Sequence, residues 1–350
     1  LWMCTHSKGL EKIAFQPERF HLEAPVPLTY ESLSNDVRSL FQDDKGRLWM
    51  GLRDGMIRLY DQNQYIGYLA TDGSISKTAP ALNGVAYNII QDSRKRIWIA
   101  TKGNGLFRAE EITEGRFRLT NYQTNPDDLY SLSDNNIYSV HEDDNGRLWI
   151  ATFGGGLNYM EEKSDGTVVF INHHNNLKGY PIDNCYRARF VTSDSNGYIW
   201  LGTTSGAIAF KKDFTNPESI RFNHYFRTSE ENCLNNNDVY WITETSDHEL
   251  FFATFGGGLN KLVSIDNEGK ATFKAYTIDN GLPNDVLQSN SEANNKRLWI
   301  SNDTGLCSLL TTEENTDITN NKSMQIRVRF NEASTERMNN GKYFCGTNKG

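Results

Sequence analysis

The side chains best suited to binding a ligand are aromatic rings and arginines that recur near the start of one repeated segment. Aromatic rings stack on the apolar faces of sugars, and arginine can hydrogen-bond hydroxyl or acidic groups. If the repeats surround an axis, these side chains line the mouth of a central channel, a concave place where ligands commonly bind. The alternative is that half or more of them only pack between neighbouring repeats. The predicted ligand-binding set is Arg38, Tyr87, Tyr138, Phe153, Tyr186, Arg187, Tyr240, Trp241 and Phe255.

Catalytic chemistry has little support in the sequence. The glycine-rich turns at 153–157 and 255–259 lack the following Lys-Ser/Thr and helix of a phosphate-binding loop, so tight turns are the better interpretation. The seven histidines show no metal-ligand spacing, and no Gly-x-Ser-x-Gly motif occurs. Carboxylates are plentiful, but Asp43, Asp143 and their equivalents already have a structural role in turns. We therefore expect no catalytic residue, no metal and no cofactor, while a hydrolase using paired carboxylates stays an open alternative.

Composition excludes some partners. The 350 residues include 36 Lys and Arg against 44 Asp and Glu, a net charge of −8, without a dense basic run. This argues against a nucleic-acid surface, which needs clustered basic residues. The five cysteines cannot all form disulfides, and Cys4, Cys185, Cys307 and Cys345 are predicted to be small buried residues. The sequence starts in mid-repeat without a signal peptide, so we expect it to be an excised piece of a larger protein.

The repeated segment has a period of about 50 residues and is built of strand-like pieces. An Asp/Gly turn leads into an apolar strand with a central Trp, followed by a Gly-rich turn. The pattern recurs around Trp2, Trp49, Trp98, Trp149, Trp200, Phe251, Trp299 and Phe344. One such sheet cannot bury both faces alone, and stacking the sheets around an axis solves this problem. The residues predicted to be structural anchors in the core are Trp49, Trp98, Trp149, Trp200, Phe251 and Trp299.

The period predicts an all-β fold, a single β-propeller of seven blades with four antiparallel strands each. Its divisions are a partial blade at 1–30, regular blades at 31–310 and a degenerate closing blade at 311–350. We expect no helix, and no clear fourth strand within 311–323. Closure would pair the C-terminal inner strands with outer strands from residues 9–30, which leaves one of the eight anchor strands without a place. The predicted inner strands begin near Val37, Val85, Ile137, Cys185, Val239, Val286 and Gln325.

The pattern Asp-x-x-Gly-Arg-Leu-Trp-Ile-(Gly/Ala)-Thr-x-x-Gly-Gly-Leu resembles the two-component-regulator propeller repeat. That repeat fills the periplasmic sensor regions of Bacteroides-type hybrid two-component systems. The closing segment at 329–350 is similar to the last blade of such sensors. The departures are Phe251 in place of Trp and the loss of the turn Asp in the last three repeats. The matches lie at 43–51, 92–106, 143–157, 194–206, 250–259 and 297–306.

The resemblance implies a periplasmic sensor domain of an inner-membrane hybrid histidine kinase and response regulator. Such a domain would sense an oligosaccharide and control polysaccharide-utilisation genes without being an enzyme itself. The implied partners are the oligosaccharide, a neighbouring propeller, an immunoglobulin-like domain of the same protein and a second protomer in a homodimer. Nucleic acid is not an expected partner of this domain. The alternatives are a scaffold or dimerisation propeller that binds no ligand, and a carbohydrate-active lyase or hydrolase.

Overall fold

The computed structural model describes residues 2–5, 9–12, 25, 32–82, 84–292, 296–302, 305–311, 316–320, 329–339 and 342–349. This part of the chain forms seven antiparallel sheets, the blades 1 to 7, plus one separate strand pair. The predicted seven-bladed β-propeller is confirmed. No helix in the described part has the length and apolar character needed to cross a membrane.

The strands follow the same order in each blade, from the central axis outward. The inner strands of blades 1 to 7 are Val37–Gln42, Ala86–Gln91, Ile137–Glu142, Ala188–Ser193, Val239–Glu244, Leu287–Glu292 and Phe330–Arg337. The second strands are Leu48–Leu52, Ile97–Thr101, Leu148–Thr152, Tyr198–Thr203, Leu250–Thr254, Arg297–Asn302 and Tyr343–Thr347. The third strands are Ile57–Asp61, Leu106–Thr113, Gly156–Glu162, Gly206–Lys211, Leu259–Ile265 and Gly305–Thr311. The fourth strands are Gln64–Leu69, Arg116–Tyr122, Val168–Ile171, Asn223–Tyr225, Ala271–Tyr276 and Thr316–Asn320, and blade 1 adds Ile75–Ser76.

The Asp/Gly turn sets the hairpin between the first two strands. In blade 1, Asp43 Oδ1 accepts hydrogen bonds from the backbone N–H groups of Lys45 and Arg47, at 3.1 and 2.9 Å. Gly46 has φ of +83°, a backbone conformation that costs least for glycine. The carboxylate and the glycine together reverse the chain within four residues, so the second strand pairs back on the first.

The predicted anchors form the core between blades. The side chains of Trp49, Trp98, Trp149 and Trp200 are fully buried and Phe251 is nearly so, whereas Trp299 is half-buried. Each of the four fully buried indoles donates its Nε1–H to the aspartate six residues earlier, at 2.9, 2.8, 2.8 and 2.7 Å. The indole is therefore both packed and hydrogen-bonded, as a buried Trp requires.

The predicted strand start at Cys185, the expectation of no helix and the expectation of no fourth strand in blade 6 need correction. Cys185 does not open an inner strand; it ends the one-turn α-helix Ile182–Cys185, and the strand begins at Ala188. A fourth strand does follow in blade 6, Thr316–Asn320, because its polar residues still pair antiparallel with the third strand. The last inner strand starts at Phe330, and the predicted start at Gln325 lies outside the described residues. Short 3-10 turns, also not predicted, are Leu33–Asn35, Pro217–Ser219 and Ile278–Asn280.

The ring closes through blade 7. Asn331 Nδ2 donates to Asp36 Oδ1 and to Val37 O of blade 1, at 2.8 and 2.7 Å. On its other side, Thr335 Oγ1 lies 2.7 Å from Ser289 Oγ of blade 6.

The N-terminal strands Trp2–Thr5 and Gly9–Lys12 pair with each other, and the two strands of blade 7 pair with each other. Most of residues 13–31 lie outside the described part, so the outer strands of the closing blade and the three segment boundaries stay predictions.

Candidate functional site

A β-bulge at the second residue of the inner strand recurs in blades 1 to 6. The pairing register shifts across this residue, which leaves it outside the regular ladder. The bulged residue always stands eleven positions before the anchor residue of its blade. Because inner strands surround the axis, the bulges place one side chain per blade at one end of the channel. These residues are Arg38, Tyr87, Tyr138, Arg189, Tyr240 and Gln288.

A second set of mouth residues stands four positions after the anchor, in the turn between the second and third strands. The backbone N–H of Arg53 donates to Asp36 O at 2.9 Å, and that of Phe255 donates to Asp238 O at 2.9 Å. The equivalent bonds fix the turn residues of blades 2 to 4. Each turn residue is thereby held beside the start of its own inner strand. The set in blades 1 to 5 is Arg53, Lys102, Phe153, Thr204 and Phe255.

Side chains of the two sets pack against one another in a continuous row of aromatic rings across blades 2 to 5, with the Arg189 guanidinium between two of the rings. Tyr87 and Tyr138 have ring centroids 4.5 Å apart, and Tyr138 stacks on Phe153 at 4.7 Å. The Arg189 guanidinium lies 5.0 Å from the Phe153 ring and 4.2 Å from the Tyr240 ring. Tyr240 then stacks on Phe255 at 5.2 Å. Tyr87 and Tyr138 are buried by this packing, which fills their side of the mouth and raises the pKa of the Tyr138 hydroxyl through burial.

The opposite side of the mouth is an open pocket of about 540 Å³ between blades 5, 6, 7 and 1. Its volume is within the usual range for small-ligand sites. One wall presents the aromatic residues Tyr240 and Phe255. The remaining wall is polar and charged, with Ser32, Asp36, Arg38, Arg53, Gln288, Arg329, Asn331, Glu332, Asn348 and Lys349, besides Leu33 and Phe330. An apolar face opposed to hydrogen-bonding groups is suited to a sugar ring.

One carboxylate serves two arginines in this pocket. Asp36 accepts a hydrogen bond from Arg53 Nη1 at 3.1 Å and from Asn331 Nδ2 at 2.8 Å. Arg38 Nε lies 3.3 Å from Asp36 Oδ1, but this contact lacks hydrogen-bond geometry and the buried Nε finds no acceptor among the described residues. Asp36 therefore balances one positive charge of the pair and leaves the other available.

An ion pair beside the pocket spans the axis. Arg189 of blade 4 donates from Nε and Nη2 to Asp238 at 2.6 and 3.2 Å, and from Nη1 to Glu332 of blade 7 at 3.0 Å. Burial would lower the pKa of Arg189, but the Glu332 and Asp238 carboxylates raise it above its ordinary value. Burial raises the pKa of Glu332 even though Arg189 opposes that shift. The contact joins blades 4 and 7 on opposite sides of the axis.

The predicted site residues divide into two groups. Arg38, Tyr87, Tyr138, Phe153, Tyr240 and Phe255 all lie in the two mouth sets, and their ligand-binding role stays a prediction. Arg187 sits near them, with its guanidinium 5.5 Å from the Phe153 ring and 5.1 Å from the exposed Tyr186 ring. Trp241 points elsewhere: it packs at 4.1 Å on Phe190 and donates Nε1–H to Thr243 Oγ1 at 2.9 Å.

The sequence prediction missed Arg189, Gln288 and Glu332. The helix Ile182–Cys185 lies where the inner strand of blade 4 was expected, which moved the predicted mouth residues of that blade to Tyr186 and Arg187. Counting eleven positions back from each anchor would have found Arg189 and Gln288. No repeat signal identifies Glu332, because the closing blade departs from the pattern.

A larger depression of about 880 Å³ lies between the outer edges of blades 3, 4 and 5, lined in part by Arg147, Lys211, Phe214 and Glu268. Its residues come from outer strands and turns rather than from the repeated mouth positions. We therefore take the mouth pocket as the candidate site. Within the described residues, no group of three His, Cys, Asp or Glu is arranged to hold a metal ion.

Comparisons with known proteins agree with the repeat pattern. The family described as "Two component regulator propeller" matches residues 32–54 and 131–154. "Histidine kinase P4" of Formosa agariphila is 26% identical over 317 residues, which are 89% of this chain and 22% of that protein. The chain thus spans about a fifth of the length of this relative. It carries two-component regulator propeller repeats and is similar to a histidine kinase.

Solved structures show the same fold at low sequence identity. The extracellular domain of a protein described as a one-component system of B. thetaiotaomicron superposes with a TM-score of 0.63 and 18% identity, over 89% of this chain and 40% of that one. Virginiamycin B lyase from Staphylococcus aureus superposes with a TM-score of 0.59 and 14% identity, over 90% of this chain and 92% of that one. At these identities the likeness concerns the fold, which is shared by the extracellular domain of a one-component system and by an enzyme.

Proposed function

We propose that this chain is the ligand-sensing propeller of a hybrid two-component sensor and that it binds an oligosaccharide at the channel mouth. The observation that carries the proposal is the pocket of about 540 Å³, in which Tyr240 and Phe255 face arginine and amide side chains. Aromatic faces and planar hydrogen-bonding groups are the two features with which proteins bind sugars. The similarity to a histidine kinase supports the signalling context.

In this proposal the domain faces the periplasm as part of an inner-membrane protein and has no catalytic activity. A neighbouring propeller, an immunoglobulin-like domain and a second protomer complete the sensor. A ligand shifts a signalling equilibrium only through different affinities for the two states. The mouth pocket fits this role because four blades contribute to it, so a bound ligand would link their relative positions.

The direct test is calorimetric titration of the chain with neutral, uronate and sulfated oligosaccharides. We expect Tyr240→Ala to weaken binding of the selected sugar by about tenfold or more, because stacking is lost. Tyr65→Ala, in the outer strand Gln64–Leu69 of blade 1, is the matched control and should leave binding unchanged. Absence of binding to every class of oligosaccharide would overturn the proposed function.

A second candidate, a docking propeller without a ligand, is favoured by apolar side chains exposed in loops at the mouth end. These are Leu33, Leu129, Tyr130, Tyr186, Phe226, Phe255 and Ile278. Contiguous exposed apolar patches are typical of protein interfaces, and this alternative requires these side chains to form one. Under this alternative, Leu129→Ser with Tyr130→Ser would abolish self-association measured by light scattering, while titration with sugars would show no heat.

A carbohydrate-active lyase or hydrolase is the third alternative. In the pocket, Asp36 and Glu332 are engaged by arginines, which supports a positioning role for both carboxylates. Release of reducing sugar from polysaccharide by the isolated chain would favour the enzyme over the sensor.

A further inference from the structure

The mouth pocket carries more positive than negative charge, although the chain as a whole is acidic. Its lining includes the cations Arg38, Arg53, Arg329 and Lys349 against the carboxylates Asp36 and Glu332. The net charge of the chain is −8, so a cationic pocket is a local departure from the overall balance. A concave site with one sign of excess charge concentrates ligands of the opposite sign.

The pairing within the pocket leaves these cations available to a ligand. Glu332 is engaged by Arg189, which is also held by Asp238. Asp36 is shared between Arg38 and Arg53. Arg329 and Lys349 form no ion pair with any residue in the described ranges. No described carboxylate therefore remains in the lining to neutralise the surplus.

The positions of the cations allow them to contact an anionic group of a ligand. Arg53 and Arg329 are exposed, whereas the Arg38 side chain is mostly buried with an Nε that lacks an acceptor in the described structure. Guanidinium groups bind the planar or forked oxygens of carboxylate and sulfate with paired hydrogen bonds. The stacked rings of Tyr240 and Phe255 form the wall beside them.

From these observations we propose that the mouth pocket selects an anionic saccharide, one that carries carboxylate or sulfate groups, and that Arg38, Arg53, Arg329 and Lys349 recognise the charge. This inference rests on the proposed function, since it names the class of oligosaccharide that the same pocket takes. The charged groups of the sugar lie against the arginines, and an uncharged ring face lies against Tyr240 or Phe255.

The experiment compares three ligands built on one sugar: oligomers of galactose, of galacturonic acid and of sulfated galactose. The chain should bind at least one anionic oligomer about tenfold or more tightly than the galactose oligomer. Arg53→Gln and Arg329→Gln should each weaken the anionic complex by about tenfold, and weaken the neutral complex by less, because only the anionic sugar loses a charge partner. Arg118→Gln, on an exposed position of the outer strand of blade 2, is the matched control and should have no effect. The preferred anionic oligomer then identifies the recognised group as carboxylate or sulfate.

Salt provides an independent readout. Affinity for the anionic oligomer should fall between about 0.1 M and about 1 M NaCl, as the Debye length shortens from about 10 to about 3 Å. Equal or tighter binding of neutral oligosaccharides would overturn the inference and leave the proposed function standing. Anionic binding that both arginine variants retain in full would also overturn it, because the site would lie elsewhere. If no saccharide of any class binds, both the inference and the proposed function fail.

Discussion

The hairpin between the first two strands is stabilised by different side chains in blades 1 to 4 than in blades 5 and 7. In blade 3, Asp143 accepts three hydrogen bonds, from Trp149 Nε1 and from the backbone N–H groups of Asn145 and Arg147. In blade 5, Thr245 stands in the place of the aspartate and accepts one, from the Glu249 N–H at 3.2 Å. The anchor there is Phe251, which has no N–H to satisfy. Blade 5 thus replaces the Asp and the Trp together, whereas blade 6 loses the Asp but keeps Trp299, which is only half-buried.

The first blades also use this turn to hold their neighbours. Arg47 donates from Nε to Asp43 at 2.7 Å and from its two terminal nitrogens to Glu111 of blade 2, at 2.8 and 3.0 Å. Burial favours the neutral acid, yet Arg47 and Lys45 hold the pKa of Glu111 at about 2. In blade 5, Lys261 pairs with Glu249 of the same blade instead. Blade 5 also contacts its neighbour through this turn, since Ser246 Oγ donates to Glu292 of blade 6 at 2.9 Å. The two groups of blades therefore differ in the turn carboxylate and its arginine, and both keep polar contacts between blades.

The largest effect should come from removing the turn carboxylate. Asp143→Ala leaves the buried Trp149 N–H and two backbone N–H groups without acceptors, so the free energy of unfolding should fall by about 3 kcal/mol or more. Chemical denaturation measures the change. Thr245→Ala in blade 5 is the matched variant and should cost about 1 kcal/mol. Similar losses in both variants would contradict the proposed difference between the two groups of blades.

His141 should make blade 3 sensitive to acid. Its surroundings lower the pKa of this half-buried imidazole to about 4, chiefly through burial, and Ser193 Oγ lies 2.8 Å from Nε2. The unfolded chain takes up the proton near pH 6.5, so stability is complete above that pH and is lost as the pH falls toward 4. The loss should reach about 3 kcal/mol. His141→Asn should flatten this part of a curve of unfolding free energy against pH, and an unchanged slope would rule out His141 as its source.

Glu336 should give blade 7 the opposite pH dependence. Burial raises the pKa of this carboxyl to about 7. The unfolded chain loses the proton near pH 4.5, so the folded state is penalised progressively as the pH rises from about 4.5 to 7, by up to about 3 kcal/mol. Glu336→Gln should remove this penalty and stabilise the protein at pH 7 more than at pH 4.5. Thermal unfolding at the two pH values tests this, and equal shifts at both would count against it.

A smaller effect should appear when the aspartate–tryptophan pair is introduced into blade 5. Phe251→Trp alone buries an indole N–H opposite Thr245, and Thr245→Asp alone lacks its indole donor. The double variant should be more stable than the sum of the two single changes by about 1 to 2 kcal/mol. A double-mutant cycle of unfolding free energies measures this coupling. Strict additivity would show that the backbone of blade 5 no longer fits the pair.

The sequence predicts some of the mouth residues, because they occupy equivalent positions in successive repeats. Tyr87, Tyr138 and Tyr240 were found from their place near the start of each predicted strand, and the structure puts all three at the channel mouth. The sequence does not show which of Tyr240 and Trp241 faces the axis, because alternation alone does not reveal a bulge, and the bulge decides which of the two neighbouring side chains does so. Arg189 was missed for a local reason, since the helix Ile182–Cys185 shifts the start of its strand.

The sequence by itself determined the fold, since a period of about 50 residues with a buried aromatic anchor can be satisfied only by stacking like sheets. It also determined the hairpin turns, because the interactions of Asp43 or Asp143 with their turns are local. Only the tertiary structure decided the shape of the site. The contact of Arg189 with Glu332 and of Asn331 with Asp36 joins residues 143 and 295 positions apart. Such pairs exist only once the ring has closed, and closure is what turns repeated side chains into a single pocket.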